Sequence, residues 1–105
     1  MQKIIIELNK SSINNGRIYF KSEDVNFFPK SSLGDRASSG NKGSQVLFKA
    51  SGLEFRTDIR QNSGKTLSPR SSFAKYIKEI KAIEGTKLLI ERTDETVYLV
   101  SKHQS

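Results

Sequence analysis

Hydrophobic and polar residues alternate most regularly between residues 53 and 60, in the segment LEFRTDIR. Successive side chains of a β-strand point to opposite faces, so this alternation predicts a strand with one apolar and one charged face. The apolar face would carry Leu53, Phe55, Thr57 and Ile59, and the charged face Glu54, Arg56, Asp58 and Arg60. We therefore expect the first face to lie on a core and the second to be exposed.

Short apolar and β-branched segments predict five further strands, at residues 4–9, 17–22, 44–51, 86–94 and 95–102. Ser51 and Gly52 predict a tight turn that joins the third of these to the alternating strand as a hairpin. The last two strands predict a second hairpin, whose turn would be formed by Thr93, Asp94 and Glu95.

Two segments predict helices. Residues 22–28 begin with Ser22 as a cap, continue with acidic residues that suit the positive end of a helix dipole, and stop at Pro29. Residues 73–84 carry apolar side chains at helical spacing, with Ser71 or Ser72 as the cap and Gly85 as the stop. That apolar stripe consists of Phe73, Tyr76, Ile77, Ile80 and Ile83.

Three polar segments without an apolar period, residues 10–16, 30–43 and 61–71, predict loops. We expect the long middle loop to be mobile and exposed, and residues 103–105 to form a frayed tail. Many short strands with two helices favour a partly closed barrel over a flat sheet, because a small twisted sheet buries more surface by curling on itself.

The length of 105 residues predicts a single domain, residues 1–105, with one core. The absence of cysteine excludes a disulfide framework and a thiolate metal site. The first ten residues, MQKIIIELNK, are too short and too soon charged for a signal peptide or a membrane span. We therefore expect a cytoplasmic protein, associated with the nucleoid if it is bacterial.

The net charge of +7 is concentrated in the middle of the chain. Residues 10–70 hold eleven of the eighteen basic residues and five of the eleven acidic ones, whereas residues 1–9 are balanced. Such an excess favours a polyanionic partner. The guanidiniums, amides and carboxylate of residues 56–62 are groups that contact base edges and phosphates in the DNA major groove. The leading hypothesis is sequence-specific binding of duplex DNA.

Several motifs occur in a recognisable order along the chain. They are an Arg-led apolar strand at residues 17–20, Phe27-Phe28-Pro29, Phe55-Arg56, an amphipathic helix at residues 73–78, Gly85-Thr86 and Ile90-Glu91-Arg92. In this order they resemble the DNA-binding pseudobarrel of the plant B-three transcription factors and of the effector domains of the restriction endonucleases EcoRII and BfiI. The resemblance covers nearly the whole chain.

This resemblance implies a mainly β fold with a minor α+β character, an open pseudobarrel of the seven-stranded type with two short helices capping its ends. It implies that two arms, residues 10–16 and 61–71, grip the major groove, while Arg17 and residues 56–60 line the concave surface between them. The implied activity is target recognition, in a restriction endonuclease or a DNA-binding regulator, without catalysis by this chain.

Each polar residue of this surface has an expected role. Arg56 and Arg60 would each bridge O6 and N7 of a guanine. Asp58 would accept from a cytosine amine, orient the flanking arginines, or form a plain salt bridge. Lys10, Lys21, Lys65 and Arg70 would hold phosphates. The other expected DNA contacts are Ser12, Asn14, Asn15, Arg17, Tyr19, Gln61, Asn62 and Ser63; turn formation is the alternative role of the four Asn and Gln residues.

The aromatic residues mostly lie on the apolar phases of their elements, which predicts core packing. This applies to Phe20, Phe27, Phe28, Phe48, Phe55 and Phe73. Tyr19 differs, because it shares a strand face with Arg17 and Lys21. His103 has no second histidine or cysteine with which to hold a metal ion, and we assign it no role.

Three alternatives remain. A metal-dependent nuclease would use Asp58 with Glu79 and Lys81, but residues two apart on a helix lie about 200° apart around its axis and do not converge on one ion. An RNA or single-strand-binding barrel would expose aromatic rings for base stacking. A membrane anchor would need a helix with a basic polar face, whereas residues 73–84 mix Lys with Glu.

We therefore expect double-stranded DNA as the partner, without a cofactor, a metal ion or a membrane. The isolated domain is expected to be monomeric, and a nuclease domain would accompany it in a full-length restriction enzyme.

Overall fold

The computed structural model describes residues 2–35, 42–62 and 66–103. These residues form nine strands in two sheets, two α-helices and two 3₁₀-helices. In chain order the elements are β1 Gln2–Glu7, α1 Lys10–Asn15, β2 Phe20–Lys21, the 3₁₀-helices Ser22–Phe27 and Lys30–Ser32, β3 Leu33–Asp35, β4 Val46–Ala50, β5 Leu53–Thr57, β6 Ile59–Asn62, β7 Thr66–Pro69, α2 Ala74–Glu79, β8 Lys87–Asp94 and β9 Val97–His103.

The strands form a five-stranded sheet, in the order β1-β8-β9-β4-β5, and a four-stranded sheet, in the order β2-β7-β6-β3. Most neighbours are antiparallel, but β4 pairs with β9 and β3 pairs with β6 in parallel. The described strands do not close into a barrel, which confirms the predicted mainly β, open pseudobarrel. The sequence pattern did not predict β3 and β7, which lie within the predicted loops.

The alternating segment at residues 53–60 is divided between the two sheets. Its first part, β5, pairs with β4 in the five-stranded sheet, and its second part, β6, pairs with β3 and β7 in the four-stranded sheet. Thr57, Asp58 and Ile59 are all buried at the junction, so the predicted alternation fails there. The strand is interrupted at this point because its two parts pair with different sheets, and a single straight strand cannot pair with both.

A single cluster of apolar side chains lies between the sheets. Tyr98 is at its centre, stacked on Phe48 with 5.1 Å between the ring centroids and in edge contact with Phe27. The Tyr98 hydroxyl donates a 2.6 Å hydrogen bond to the carbonyl oxygen of Phe27. The predicted core role of the phenylalanines is confirmed: five of them are buried and Phe55 packs partly buried against the cluster.

The polar segment at residues 10–16 is a short helix, α1, and the prediction of a loop is wrong. Asn9 accepts a 2.8 Å hydrogen bond from the backbone N–H of Ser12, and the Ser12 hydroxyl accepts one from the Asn9 N–H, which completes a capping box. Gly16, at φ 64°, ends the helix in the left-handed conformation that glycine adopts without strain. Asn9 and Ser12 therefore stabilise the start of this helix.

Both predicted helices are present with different bounds. The first is a 3₁₀-helix whose N-cap is Lys21, so Ser22 does not cap it. The second, α2, ends at Glu79 because Lys81 turns into the left-handed region at φ 55°. Ile83 consequently leaves the predicted apolar stripe and is 71% exposed. The Ser72 hydroxyl accepts from the Ala74 N–H, close to its predicted capping role.

The remaining connections differ in part from the prediction. Both predicted hairpins are confirmed, with turns at Ser51-Gly52 and at residues 95–96. The predicted second arm is largely the β6–β7 hairpin, and the predicted long loop contains a 3₁₀-helix and β3; its residues 36–41 lie outside the described part. His103 pairs with Lys87 in β9 and is not a frayed tail. No helix among the described residues could span a membrane.

Candidate nucleic-acid interface

Most of the outer face of the five-stranded sheet is electrically balanced. Three cross-strand pairs on it each set a cation opposite an anion, namely Lys3 with Glu91, Glu7 with Lys87 and Lys49 with Glu54. Opposite charges at directly paired positions attract one another and leave little field at a distance. We call the surface of these three pairs the neutral face. Arg56 lies beyond it, at the end of β5, opposite the uncharged Leu47.

The outer face of the four-stranded sheet is different, and we call it the polar face. Phe20, Leu67 and Ile59 face the core, so their strand neighbours point outward. One row across the strands consists of Lys21, Thr66 and Asn62, and the next consists of Ser68, Arg60 and Gly34. The face therefore presents the Asn62 amide, the Thr66 hydroxyl and the cations of Lys21 and Arg60, whereas the Ser68 side chain is fully buried.

Residues 17–21 bring three of the predicted contacts to this face. Burial alternates along them: Ile18 and Phe20 are buried, Arg17 and Tyr19 are half-buried, and Lys21 is exposed. The Arg17 Nη1 donates to the carbonyl oxygens of Pro69 and Arg70, at 3.3 and 3.1 Å. These two hydrogen bonds connect residues 17–21 to the end of β7 and hold the Arg17 guanidinium beside the polar face.

The hairpin of β6 and β7 carries the amide side chains of the predicted second arm. Asn62 donates from Nδ2 to the hydroxyls of Thr66 and Ser68, at 3.3 and 3.1 Å. Its Oδ1 is buried and accepts no hydrogen bond within the described residues. Gln61 is exposed. Ser63 and Lys65 lie outside the described residues.

The predicted first arm is the helix α1. Lys10, Asn14 and Asn15 are exposed on it, whereas Ser12 is only 1% exposed and its hydroxyl belongs to the capping box. Ser12 therefore shapes the helix and is not available to DNA. The backbone N–H of Phe73 donates to the Gly16 carbonyl at 2.7 Å, which fixes the end of this arm against the start of α2.

Asp58 does not lie on an exposed charged strand. It is 4% exposed, and its carboxylate accepts from Arg70 Nε at 2.7 Å, from Arg70 Nη2 at 3.0 Å and from the Gly43 N–H at 2.9 Å. A cytosine amine does not reach it, so of the three predicted roles the salt bridge is confirmed, with Arg70 as the partner. Arg70 is correspondingly engaged with Asp58.

The electrostatic state of Asp58 follows from these contacts. Burial by itself would raise the pKa of Asp58, because a charged carboxylate is less stable away from water. The hydrogen bonds from Arg70 and Gly43, together with the charge of Arg70, outweigh burial and lower that pKa below its ordinary value. The carboxylate is therefore charged at neutral pH and holds Arg70 in place.

Arg56 and Arg60, expected to act as a pair, lie on different sheets. Arg60 is half-buried in β6 on the polar face, opposite Ser68. Arg56 is exposed in β5, opposite Leu47, at the junction where β5 ends. Their separation follows from the break at Asp58.

A pocket of about 160 Å³ lies beside this junction, and its wall includes two residues that the sequence analysis did not single out. These are Lys42 and Gln45, which stand near Arg56 and Arg70. The sequence signal for them was the basic excess of residues 10–70, but nothing local indicated where the segment would lie.

Two of the larger pockets have carboxylates in their walls. One, of about 410 Å³, is on the neutral face beside Leu99. The other, of about 590 Å³, lies along β1 and β2, where Glu7, Glu23 and Asp24 stand beside Tyr19, Lys21 and Thr66 of the polar face. Carboxylates repel phosphate, so neither pocket suits a phosphate in its interior. Within the described residues no three His, Cys, Asp or Glu side chains come together to hold a metal ion.

Comparison with known proteins gives matches in structure. No protein-family model and no curated protein matches the sequence. The chain is similar to FUS3 in the Arabidopsis FUS3-DNA complex, with a TM-score of 0.64, 9% identity and coverage of 97% of this chain and 96% of that chain.

Two further structures are similar over most of their length. The N-terminal domain of Helicobacter pylori LlaJI.R1 has a TM-score of 0.65 and 18% identity, over 99% of this chain and 88% of that one. A hypothetical protein of Arabidopsis thaliana has a TM-score of 0.63 and 11% identity, over 97% of this chain and 89% of that one. Similarity at these identities establishes the fold, and it confirms the pseudobarrel resemblance predicted from the sequence.

Proposed function

We propose that this protein binds double-stranded DNA in a sequence-specific manner, with the polar face and its two flanking arms directed into the major groove. The observation that carries the proposal is the difference in charge between the two outer faces. The neutral face pairs each of three cations with an anion in register. On the polar face, Lys21 and Arg60 lie opposite the uncharged Thr66 and Ser68, with no acid in register. Lys21 makes one exposed ion pair, 3.9 Å long, with Glu23, and the buried Asp58 of the sheet junction is bound to Arg70.

The proposed contacts divide into two classes. Arg60 and Asn62 lie on the polar face of β6 and have the guanidinium and amide groups that recognise guanine and adenine edges. Gln61 is exposed but is in register with Leu67 on the other side of the strand, so it would reach the DNA from near the end of β6. Lys10, Lys21 and Arg17 would contact phosphates, which orients the protein without selecting a sequence. The proposed interface also includes Asn14, Asn15, Tyr19, Ser63 and Lys65. Arg70 and Asp58 act beneath it by holding the sheet junction.

Three observations support duplex DNA over an unpaired strand. The described phenylalanines are buried or packed on the core, so they do not form an exposed platform for stacking unpaired bases. The sequence motifs resemble those of duplex-binding pseudobarrels. One of the structures with this fold was determined as a complex with DNA.

We further propose that the chain recognises a target without cutting it, as the recognition module of a restriction endonuclease or as a regulator in the cytoplasm or nucleoid. A plasmid incubated with the pure protein and magnesium would then stay intact. Cleavage under these conditions would contradict this part of the proposal.

The decisive test is selection of bound sequences from a random duplex library, followed by competition with scrambled duplex, single-stranded DNA and structured RNA. The expected result is one enriched motif, with the matching duplex as the strongest competitor. A preference for single strands or RNA would refute the proposal, as would equal competition by scrambled duplex. A Lys87→Ala variant, altered on the neutral face, serves as the control and should bind like the unaltered protein.

A further inference from the structure

We infer that the pocket beside the sheet junction holds one backbone phosphate of the bound DNA, as a third contact in addition to the two arms. Its principal lining residues are Lys42, Gln45, Arg56, Asp58 and Arg70. The inference rests on the proposed function, because it assigns a part of the DNA to a part of this protein outside the predicted arms.

The position of Lys42 is fixed by backbone contacts of the segment that follows it. The Gly43 N–H donates to Asp58 Oδ2 at 2.9 Å, and the Ser44 N–H donates to the Ser31 carbonyl at 2.7 Å. These bonds hold the segment 42–45 against the junction, although Lys42 and Gly43 belong to the predicted mobile loop at residues 30–43. A lysine anchored through its neighbours loses less freedom on binding an anion than one on a mobile loop.

The opposite wall is equally fixed. The Ser71 N–H donates to the Thr57 hydroxyl at 2.9 Å, and the Ser71 hydroxyl donates to the Arg56 carbonyl at 3.2 Å. The backbone at Arg56 is therefore tied to the connection between β7 and α2. The pocket has two rigid sides before any ligand arrives.

The charge of the pocket selects an anion. The single carboxylate in its lining, that of Asp58, is bound to Arg70 and Gly43. Lys42 and Arg56 are both exposed, and neither makes an ion pair with another described residue. Lys49, on the neutral face, differs from them in having an acid, Glu54, directly opposite in the strand register. Two uncompensated cations beside a neutralised acid attract a phosphate group.

Size and lining distinguish a phosphate from a base. The volume of about 160 Å³ suits a compact tetrahedral group, and no aromatic ring lines the pocket. An inserted base would need a ring or other flat surface for stacking. The Gln45 side chain adds an amide donor to the two cations. A phosphate contact of this kind raises affinity for every sequence alike.

The test measures the salt dependence of duplex binding for the full chain and for Lys42→Gln and Gln45→Glu. Loss of one phosphate contact lowers the slope of log K against log salt by about 0.9 in magnitude. Lys42→Gln should show this decrease with the selected motif unchanged. Gln45→Glu brings a carboxylate to the pocket and should weaken binding further. The matched control is Lys49→Gln, which removes one charge from the neutral face and should leave the slope unchanged.

The outcomes separate the two proposals. An unchanged slope for Lys42→Gln in a protein that binds duplex DNA would overturn the pocket and leave the proposed function intact. Failure of the unaltered chain to bind duplex would overturn both. In a second experiment, inorganic phosphate is added to the protein and the backbone amide NMR signals of Gly43 and Ser71 are followed. This titration distinguishes a site that binds any phosphate from one that needs the DNA backbone. Shifts with phosphate and a reduced slope for Lys42→Gln would together support the inference.

Discussion

The guanidinium of Arg70 donates from Nε to Oδ1 of Asp58 at 2.7 Å and from Nη2 to Oδ2 at 3.0 Å. This two-pronged pair joins the start of β6 to the connection that follows β7, and the Gly43 N–H adds a third segment. A side chain at Gly34 in β3 would overlap the same carboxylate. Three other parts of the chain, at Gly34, Gly43 and Arg70, therefore meet at Asp58.

Asp58→Asn should strongly destabilise the protein at neutral pH. The substitution removes the charge that compensates Arg70, and breaking a buried ion pair in this way costs about 3 kcal/mol. The free energy of unfolding, measured by urea denaturation at pH 7, would show the loss. Glu54→Gln, on the neutral face, is the matched control and should change stability by less than about 1 kcal/mol, because exposed pairs contribute little.

The pH dependence gives the same prediction a second readout. The pKa of Asp58 is lower in the folded protein than in an unfolded chain, so its contribution is fully present above the unfolded value of about 3.9 and is lost as the pH falls through the folded value. The difference in stability between the unaltered protein and Asp58→Asn should shrink over that acidic range. A difference that stays constant down to pH 2 would contradict the assigned ion pair.

Gly34→Ala should destabilise the fold through a steric clash. An added Cβ would overlap the Asp58 carboxylate and the Gly43 nitrogen and lie 3.1 Å from Arg70 Nη2. Overpacking of this kind costs about 1 to 3 kcal/mol. Since the clash acts on the ion pair, its effect and that of Asp58→Asn should be non-additive in a double-mutant cycle. Gly52→Ala, whose Cβ would meet nothing within 4 Å, is the control and should cost about 1 kcal/mol for its positive φ.

Tyr98→Phe should lower stability by about 1 to 2 kcal/mol, because it leaves the Phe27 carbonyl without its 2.6 Å hydrogen bond. Burial raises the pKa of Tyr98 to about 12, although the charge of Arg92 opposes the shift. A raised pKa means that this stabilisation is present below about pH 10 and is lost as the pH rises toward 12. Denaturation curves between pH 9 and 12 should therefore converge for the two proteins.

The control for this prediction is Tyr19→Phe, which changes a half-buried ring on the polar face. It should leave the free energy of unfolding at neutral pH nearly unchanged, in contrast to Tyr98→Phe. The pKa of Tyr76 is also raised by burial, but Tyr76 is present in all three proteins and cancels in the comparison. Parallel alkaline profiles for the unaltered protein and Tyr98→Phe would contradict the assignment.

Arg60→Ala and Arg56→Ala should have different effects on DNA binding. Arg60 lies on the polar face, where loss of a guanine contact would relax one base position by about 1 to 3 kcal/mol. Arg56 lines the junction pocket, so its loss should weaken matched and scrambled duplexes alike and reduce the salt slope. Binding titrations of single-base variants of the selected motif would measure both effects. Equal losses at every base for both proteins would refute the division.

Much of the fold could be predicted from the sequence because the apolar period is local. Ile18 and Phe20, or Val46 and Phe48, recur at strand spacing and are buried as the pattern indicated. Turn residues such as Ser51 and Gly52 likewise act through their own backbone preferences. The capping box at Asn9 was not predicted, because the Asn-Asn-Gly that follows indicated a loop.

The candidate site was harder to predict because its members meet over long distances in the chain. Arg70 reaches Asp58 across 12 positions and Gly43 reaches it across 15. No local pattern distinguishes a charged strand residue that faces water from one that an arginine buries. For the same reason the sequence suggested Arg56 and Arg60 as partners and left Lys42 and Gln45 without a role.

The sequence by itself determined the pseudobarrel resemblance, the aromatic core and the basic middle of the chain, since each depends on residue type and short-range spacing. The tertiary structure decided where the alternating strand breaks, which face carries uncompensated charge and which acid binds which arginine. Those features depend on the pairing of strands from distant segments, because a side chain's surroundings are set by the neighbours that folding brings to it and not by those beside it in the chain.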